Sequence, residues 1–143
     1  MGTVNSILRT KGNTTFSITP GTTVYHALEI MLEKNVSALV VLENEELKGI
    51  FTERDYARKV ILKGKASRDT LIGEIMSADV ITVSPRSSID DCMRLMTGKF
   101  IRHLPVMEDG KLVGIVSIGD LVKYIIDEQK FIIENMEHYI TGS

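Results

Sequence analysis

The sequence predicts an α/β fold built from two copies of one β-α-β-β-α unit and closed by a long C-terminal helix. Three observations carry that expectation. Residues 16–60 align with residues 81–125 without a gap, and self-similarity at a fixed period marks a repeated supersecondary unit. Inside each copy the apolar pattern changes from helical to strand spacing at corresponding places. Apolar residues make up 43% of the chain and charged ones 25%, without a polar low-complexity tract, so burial can offset the entropy of ordering. A chain of 143 residues suits one compact domain, or two small halves sharing a core.

The repeat is specific at the level of single residues. Ten aligned pairs are identical, among them Pro20 with Pro85, Met31 with Met96, Gly49 with Gly114 and Asp55 with Asp120. The segments leading into the two copies also correspond, Val4-Asn-Ser-Ile7-Leu8 with Ile72-Gly-Glu-Ile75-Met76, provided three extra residues are placed around Lys11-Gly12-Asn13. In chain order this divides the protein into residues 1–63 (first repeat with its lead segment), 64–79 (linker and second lead segment) and 80–143 (second repeat with the extended helix).

Each element follows from local chemistry. Thr22-Thr23 and Ser87-Ser88 supply N-caps. Apolar residues then recur at helical spacing, Val24, Ala27, Leu28 and Met31 in one copy and Ile89, Cys92, Met93 and Met96 in the other. Next come paired short apolar runs, Ala38–Leu42 with Leu47–Phe51 and Leu104–Met107 with Leu112–Val116, joined by polar turns at Glu43–Glu46 and Glu108-Asp109-Gly110. Apolar runs across such a turn predict hairpins. Thr52 and Ser117 then open a second helix, Glu53–Leu62 in repeat one and Ile118 to about Tyr139 in repeat two.

Several function classes lose support at this stage. A net charge of −2 provides no general attraction for nucleic acid or an anionic membrane, so none of these partners is expected. The single cysteine, Cys92, precludes an intrachain disulfide and lies on an apolar helix stripe, and His26, His103 and His138 are too scattered for zinc. No signal segment or membrane span is evident, which makes a cytoplasmic location the expectation. No acid–base pair, activated nucleophile or phosphate loop appears, so an enzyme is not expected.

The residues able to bind a ligand lie where a strand enters a helix: Gly49-Ile-Phe-Thr52-Glu-Arg-Asp55 and Gly114-Ile-Val-Ser117-Ile-Gly-Asp120. A helix N-terminus offers unpaired N–H groups to a phosphate, and a hydroxyl at the cap adds a donor. A carboxylate three residues on can accept both hydroxyls of a ribose, and apolar strand residues such as Val40, Val41, Ile50 and Val106 can enclose a purine. The glycine permits close backbone approach. The same Ser/Thr-x-x-Asp pattern is also a capping box that requires no ligand.

These motifs, with Ile75-Met76 leading into Val80-Ile-Thr-Val-Ser-Pro85, and Arg102-His-Leu-Pro-Val106 in repeat two, resemble the CBS-domain family, and in particular standalone CBS pairs. The resemblance covers nearly the whole chain. It implies two repeats stacked about a pseudo-twofold axis, with adenine nucleotides in the clefts between them and no obligatory cofactor. AMP leads the candidates, followed by ADP, ATP and NAD or NADH. By matching position, Asp55 and Asp120 would hold ribose, with Thr52 and Ser117 as hydroxyl partners. Thr19, Ser84, Val40 and Pro105 join the ligand-binding set, and Arg102, His103, Arg54 and Arg58 would meet phosphates. Arg102 and His103 occur only in repeat two, where repeat one has Ser37 and Ala38. They are expected to serve the ligand held by Asp55, making that cleft the stronger one for charged phosphates. A solvent-facing Arg and a half-buried His are the alternative.

The expected output is regulatory, passed in trans to a separate effector protein or through a homodimer. A stripe on the last helix, Ile118, Val122, Ile125, Gln129, Ile132, Met136 and Tyr139, suits helix–helix packing. The rival to sensing is an interaction module that binds no nucleotide.

Overall fold

The computed structural model describes residues 2–141. In chain order the elements are α1 (Val4–Lys11), β1 (Ser17–Ile18), α2 (Val24–Lys34), β2 (Ala38–Glu43), β3 (Glu46–Thr52), α3 (Glu53–Asp55), α4 (Ile72–Ile75), α5 (Ile89–Lys99), β4 (His103–Glu108), β5 (Lys111–Ser117) and α6 (Ile118–Thr141). The two repeats agree closely in their first helix and hairpin. Thr23 caps α2 by accepting the His26 N–H at 3.2 Å, and Ser88 caps α5 by accepting that of Asp91 at 3.0 Å. Both helices end on a left-handed residue, Asn35 (φ 54°) and Phe100 (φ 56°). Asparagine tolerates that conformation readily; phenylalanine does not. Both hairpins turn on two residues of positive φ, Asn44-Glu45 and Asp109-Gly110, the backbone that matches the right-handed twist of the flanking strands. β2 pairs antiparallel with β3 from Ala38↔Thr52, and β4 with β5 from His103↔Ser117, each with an irregularity after Val41 or Val106.

The first strand of the unit is much reduced. β1 pairs in parallel with β2 over Ser17↔Val40 and Ile18↔Val41, whereas repeat two keeps a lone bridge, Val83↔Val106. Pro105 stands where repeat one has Val40. It has no N–H to extend the ladder.

Each repeat has its own core. Ile18, Val24, Leu39, Val41, Phe51 and Val60 belong to the first, and Ile89, Cys92, Leu104, Val106, Val116 and Leu121 to the second. The lead segments are exchanged between them. Val4 and Ile7 of α1 lie in the second core, while Ile72 and Ile75 of α4 lie in the first. Backbone bonds anchor the exchange: Val4 N–H to Ser87 O (2.9 Å) and Asn5 N–H to Pro85 O (2.9 Å) on one side, Ile72 N–H to Thr22 O (2.8 Å) and Gly73 N–H to Pro20 O (2.9 Å) on the other. Chain order groups α1 with repeat one; in space Val4, Ile7 and Leu8 pack on repeat two. Such reciprocity is what an approximate twofold between repeats produces.

The helix expected over Glu53–Leu62 is not regular. After α3 the chain makes a π-helical turn at Tyr56–Val60 and a 3₁₀ turn at Ile61–Lys63. The widened turn lets Val60 reach the core while Lys59 lies against Asp55. α6 is one continuous helix of two characters. Leu121 is in the second core with Ile118, Tyr124 and Ile125 packed against it, whereas residues 129–140 are all exposed.

Candidate functional site

The two strand-to-helix junctions share a scaffold and differ in what fills it. In each, the strand entering the hairpin accepts the first N–H of the helix: Glu53 N–H to Ser37 O at 3.2 Å, Ile118 N–H to Arg102 O at 2.9 Å. In each, the aspartate caps its own helix. Asp55 Oδ2 accepts the Thr52 N–H (3.0 Å) and hydroxyl (3.2 Å), and Asp120 Oδ2 accepts the Ser117 N–H (2.8 Å). The capping box is therefore present at both junctions.

At the first junction the carboxylate is fully engaged. Asp55 Oδ1 accepts the Ser77 hydroxyl at 3.0 Å and pairs with the Lys59 ammonium at 3.2 Å, and the residue is only 7% exposed. Lys59 also reaches Ser77 Oγ at 3.3 Å. Ser77 arrives on the exchanged lead segment, where it forms two backbone bonds with Ile50, both 3.0 Å. Gly49 makes that crossing possible, because a Cβ there would lie 2.8 Å from Ser77 O and from Met76 Sδ. Close approach at this glycine is thus to the lead segment of the chain itself. Gly114 plays the equivalent part toward Leu8.

The second junction is more open. The Asp120 side chain is 24% exposed and pairs with Lys11 Nζ at 2.7 Å. Lys11 Nζ also donates to Ile115 O at 2.9 Å. Burial alone would raise the Asp120 pKa, but the Lys11 hydrogen bond and charge, with the Ser117 N–H, outweigh it and hold the carboxyl below its ordinary value. His103 is half-buried and stands between the junctions, its Nε2 3.1 Å from Ser37 Oγ. Burial lowers its pKa, Lys11 and Arg102 lower it further, and Asp120 opposes them. The His103 backbone pairs with Ser117 in the hairpin register while its ring reaches Ser37, whose carbonyl accepts the first N–H of α3, so this histidine joins the two junctions. The sequence assigns it to the ligand of Asp55, and the Ser37 contact lies on that side.

The other candidates are placed as follows. Arg54 Nη1 donates to Phe100 O at 2.7 Å, crossing to the other repeat and satisfying a carbonyl at the α5 C-terminus, where a cation is favoured. Thr19 and Ser84 shape the turns before α2 and α5. Their N–H groups donate to Thr22 Oγ1 (3.1 Å) and Ser87 Oγ (3.0 Å). Val40 and Pro105 are buried in β2 and β4. By strand alternation they lie on the face opposite Leu39, Val41, Leu104 and Val106. Arg58 and Arg102 are exposed. Cys92 is buried and its thiol is pushed up to about 11, by burial first and Asp91 second, as suits a core residue.

Sequence reasoning missed Lys11 and Ser77. Both belong to lead segments whose exchange is a tertiary event, and the one local signal was the insertion around Lys11-Gly12-Asn13. Among the described residues there is no cluster of metal-ligating side chains, and no helix is long and apolar enough to cross a membrane.

Comparison with known proteins agrees with this geometry. Residues 13–62 and 72–127 match the CBS domain family. The mitochondrial CBS domain-containing protein CBSX3 of Arabidopsis thaliana is 39% identical over 149 residues, spanning 98% of this chain and 72% of its own length. A protein with CBS domains from Burkholderia ambifaria has a similar structure, with a TM-score of 0.85 and 48% identity over 89% of this chain and 96% of that one. The CBS domain pair of protein MJ0100, solved in complex with 5′-methylthioadenosine and S-adenosyl-L-methionine, gives a TM-score of 0.78 and 25% identity over 90% and 98% of the two chains. With both repeats matched and their caps, turns and registers in step, the chain belongs to the CBS-domain family as a tandem CBS pair.

Proposed function

We propose that the protein is a sensor that binds an adenosine-containing ligand between its repeats, takes the ribose at Asp120, and passes the bound state in trans to a separate partner. CBS pairs are regulatory modules, and a relative of the same fold binds two adenosine compounds. The observation that carries the reading is the contrast between the two carboxylates. Asp55 has both oxygens committed within the protein. Asp120 is more exposed and is held by a lysine from a distant segment, beside His103 and Arg102. A ribose diol can replace that lysine at Asp120 without dismantling the helix cap. AMP leads the candidates because Lys11, Arg102 and the N-terminus of α6 favour a phosphate nearby. The mechanism is linkage: a ligand that contacts both repeats favours one relative arrangement and shifts the population toward it.

A thermal-shift panel of AMP, ADP, ATP, NAD, NADH, S-adenosylmethionine and 5′-methylthioadenosine tests this reading. A binder present at 100 times its Kd should stabilise by about 2.7 kcal/mol. A flat response across the panel would favour the module that binds no nucleotide.

The same reading makes the protein a homodimer. Ile132, Met136 and Tyr139 continue along α6 the stripe that Ile118 and Ile125 bury on the second core, and the continuation is exposed. Such a stripe is suited to a second helix. Light scattering at micromolar concentration should give twice the 15.9 kDa chain mass; the mass of a single chain would end the dimer.

A further inference from the structure

Lys11 is the least expected member of the Asp120 junction, and the repeat itself explains why it is needed. In repeat one the lysine facing the aspartate comes from the following turn of the same helical segment, as Lys59 four residues after Asp55. The corresponding position in repeat two is Tyr124, which packs against the second core, and a Cβ on Gly2 would collide with its hydroxyl. Asp120 therefore has no local lysine at that position. Its cation comes from the last residue of α1, 109 positions earlier in the chain.

The two lysines are also held differently. Lys59 sits in the helical segment it neutralises and bonds Ser77 as well. Lys11 ends its helix, and Gly12 (φ 86°) and residues 13–16 follow outside any helix or strand. Val4 and Ile7 bury the root of α1 in the second core, and Leu8 packs against it. The root is fixed, and the lysine side chain, a third exposed, crosses from it to the junction. Its ammonium carries three donors, and Asp120 Oδ2 and Ile115 O accept two of them.

We propose that Lys11 is the specificity-determining gate of the Asp120 junction, neutralising the carboxylate in the empty protein and turning to the ligand's anionic group when a ribose takes its place. The inference rests on the reading of Asp120 as the ribose acceptor. Two ribose hydroxyls can satisfy a carboxylate but bring no charge, so the displaced ammonium remains beside His103 and Arg102 with its pairing lost. A phosphate on the ribose restores that pairing through a charge-assisted hydrogen bond. A neutral nucleoside does not, and a sulfonium adds a like charge. The gate thus selects phosphorylated adenosine compounds over adenosine or S-adenosylmethionine.

Calorimetry with AMP and adenosine on the wild type, Lys11→Met, Lys11→Arg and Asp120→Asn is the test. Lys11→Met should weaken AMP roughly 10- to 100-fold, the range of a hydrogen bond to a charged group, while adenosine binds as well as before or better. Lys11→Arg should keep the preference for AMP. Removing Lys11 should also raise the His103 pKa in the ligand-free protein, read by NMR titration, because one of the charges depressing it is gone. If AMP binding is lost with Asp120→Asn but AMP and adenosine respond alike to Lys11→Met, the gate is wrong and the binding site stands. A wild type that binds neither ligand overturns both. An unchanged His103 titration in Lys11→Met overturns the placement of Lys11 itself.

Discussion

Asp120→Ala is expected to weaken AMP binding roughly 10- to 100-fold, the equivalent of losing hydrogen bonds to a charged acceptor worth about 1.5–3 kcal/mol. Asp55→Ala is expected to leave binding nearly unchanged and to act on stability instead. The reason is the difference in what each carboxylate already does. Asp55 accepts from Thr52 twice, from Ser77 and from Lys59. Its loss removes the carboxylate half of the α3 capping box and leaves the part-buried Ser77 hydroxyl short of an acceptor, a change of about 1–3 kcal/mol. Asp120→Ala removes the equivalent half of its capping box, but its partner Lys11 is a third exposed and can turn to water, and no third side chain depends on this carboxylate as Ser77 does on Asp55. Screening keeps that pair's contribution to stability small. Calorimetry and urea melts on the two single variants decide the matter. Equal losses of affinity would return Asp55 to the ligand site. Intact affinity in both would make the two aspartates caps and nothing more. The sequence alone favours the Asp55 cleft, by the number of bases near it. The structure commits one of those bases, Arg54, to Phe100 O, and places the His103 ring on Ser37 Oγ between the two junctions.

Gly49→Ala should be the more damaging of the two equivalent glycine substitutions, at about 2–3 kcal/mol against about 1 kcal/mol for Gly114→Ala, given that overpacking typically costs 1–3. Both glycines admit a lead segment exchanged from the other half of the chain. They differ in what the added carbon meets. At position 49 it would come within 2.8 Å of the Ser77 carbonyl oxygen, backbone that bonds Ile50 in both directions at 3.0 Å. It cannot move without breaking that pair. At position 114 the nearest atom is Leu8 Cδ2 at 2.9 Å, the end of a flexible side chain. Urea midpoints of the two variants provide the comparison; equal midpoints would mean that the Ser77 crossing does not constrain the fold. Because Ser77 also bonds Asp55, Gly49→Ala should disturb the closed junction and leave Asp120 in place.

Much of this protein can be read from its residues in order. The hairpin turns lie where Asn44 and Asp109-Gly110 place them, the caps are Thr23 and Ser88, and the aspartates do fold back onto Thr52 and Ser117. All of these are contacts between residues no more than a few positions apart, so the backbone preferences and side-chain oxygens that create them are visible in a short window. The alignment of the repeats then carried each feature from one copy to the other. The π-helical turn at Tyr56–Val60 escaped that logic, since nothing in the local pattern separates it from a regular helix with the same apolar spacing.

What the sequence by itself determined is the repeat, its β-α-β-β-α order and the pair of capped aspartates. Only the tertiary structure decided which aspartate is closed and which is open. That decision depends on Ser77 and Lys11, carried to their junctions by exchanged lead segments, and on Arg54 and His103, whose partners lie in the other repeat. A local motif specifies a carboxylate at a helix start, whereas its availability to a ligand depends on which cation or hydroxyl arrives from elsewhere. Those arrivals are set by burying Val4 and Ile7 in one core and Ile72 and Ile75 in the other, an apolar driving force that is non-directional and so leaves no motif at the site it finally shapes.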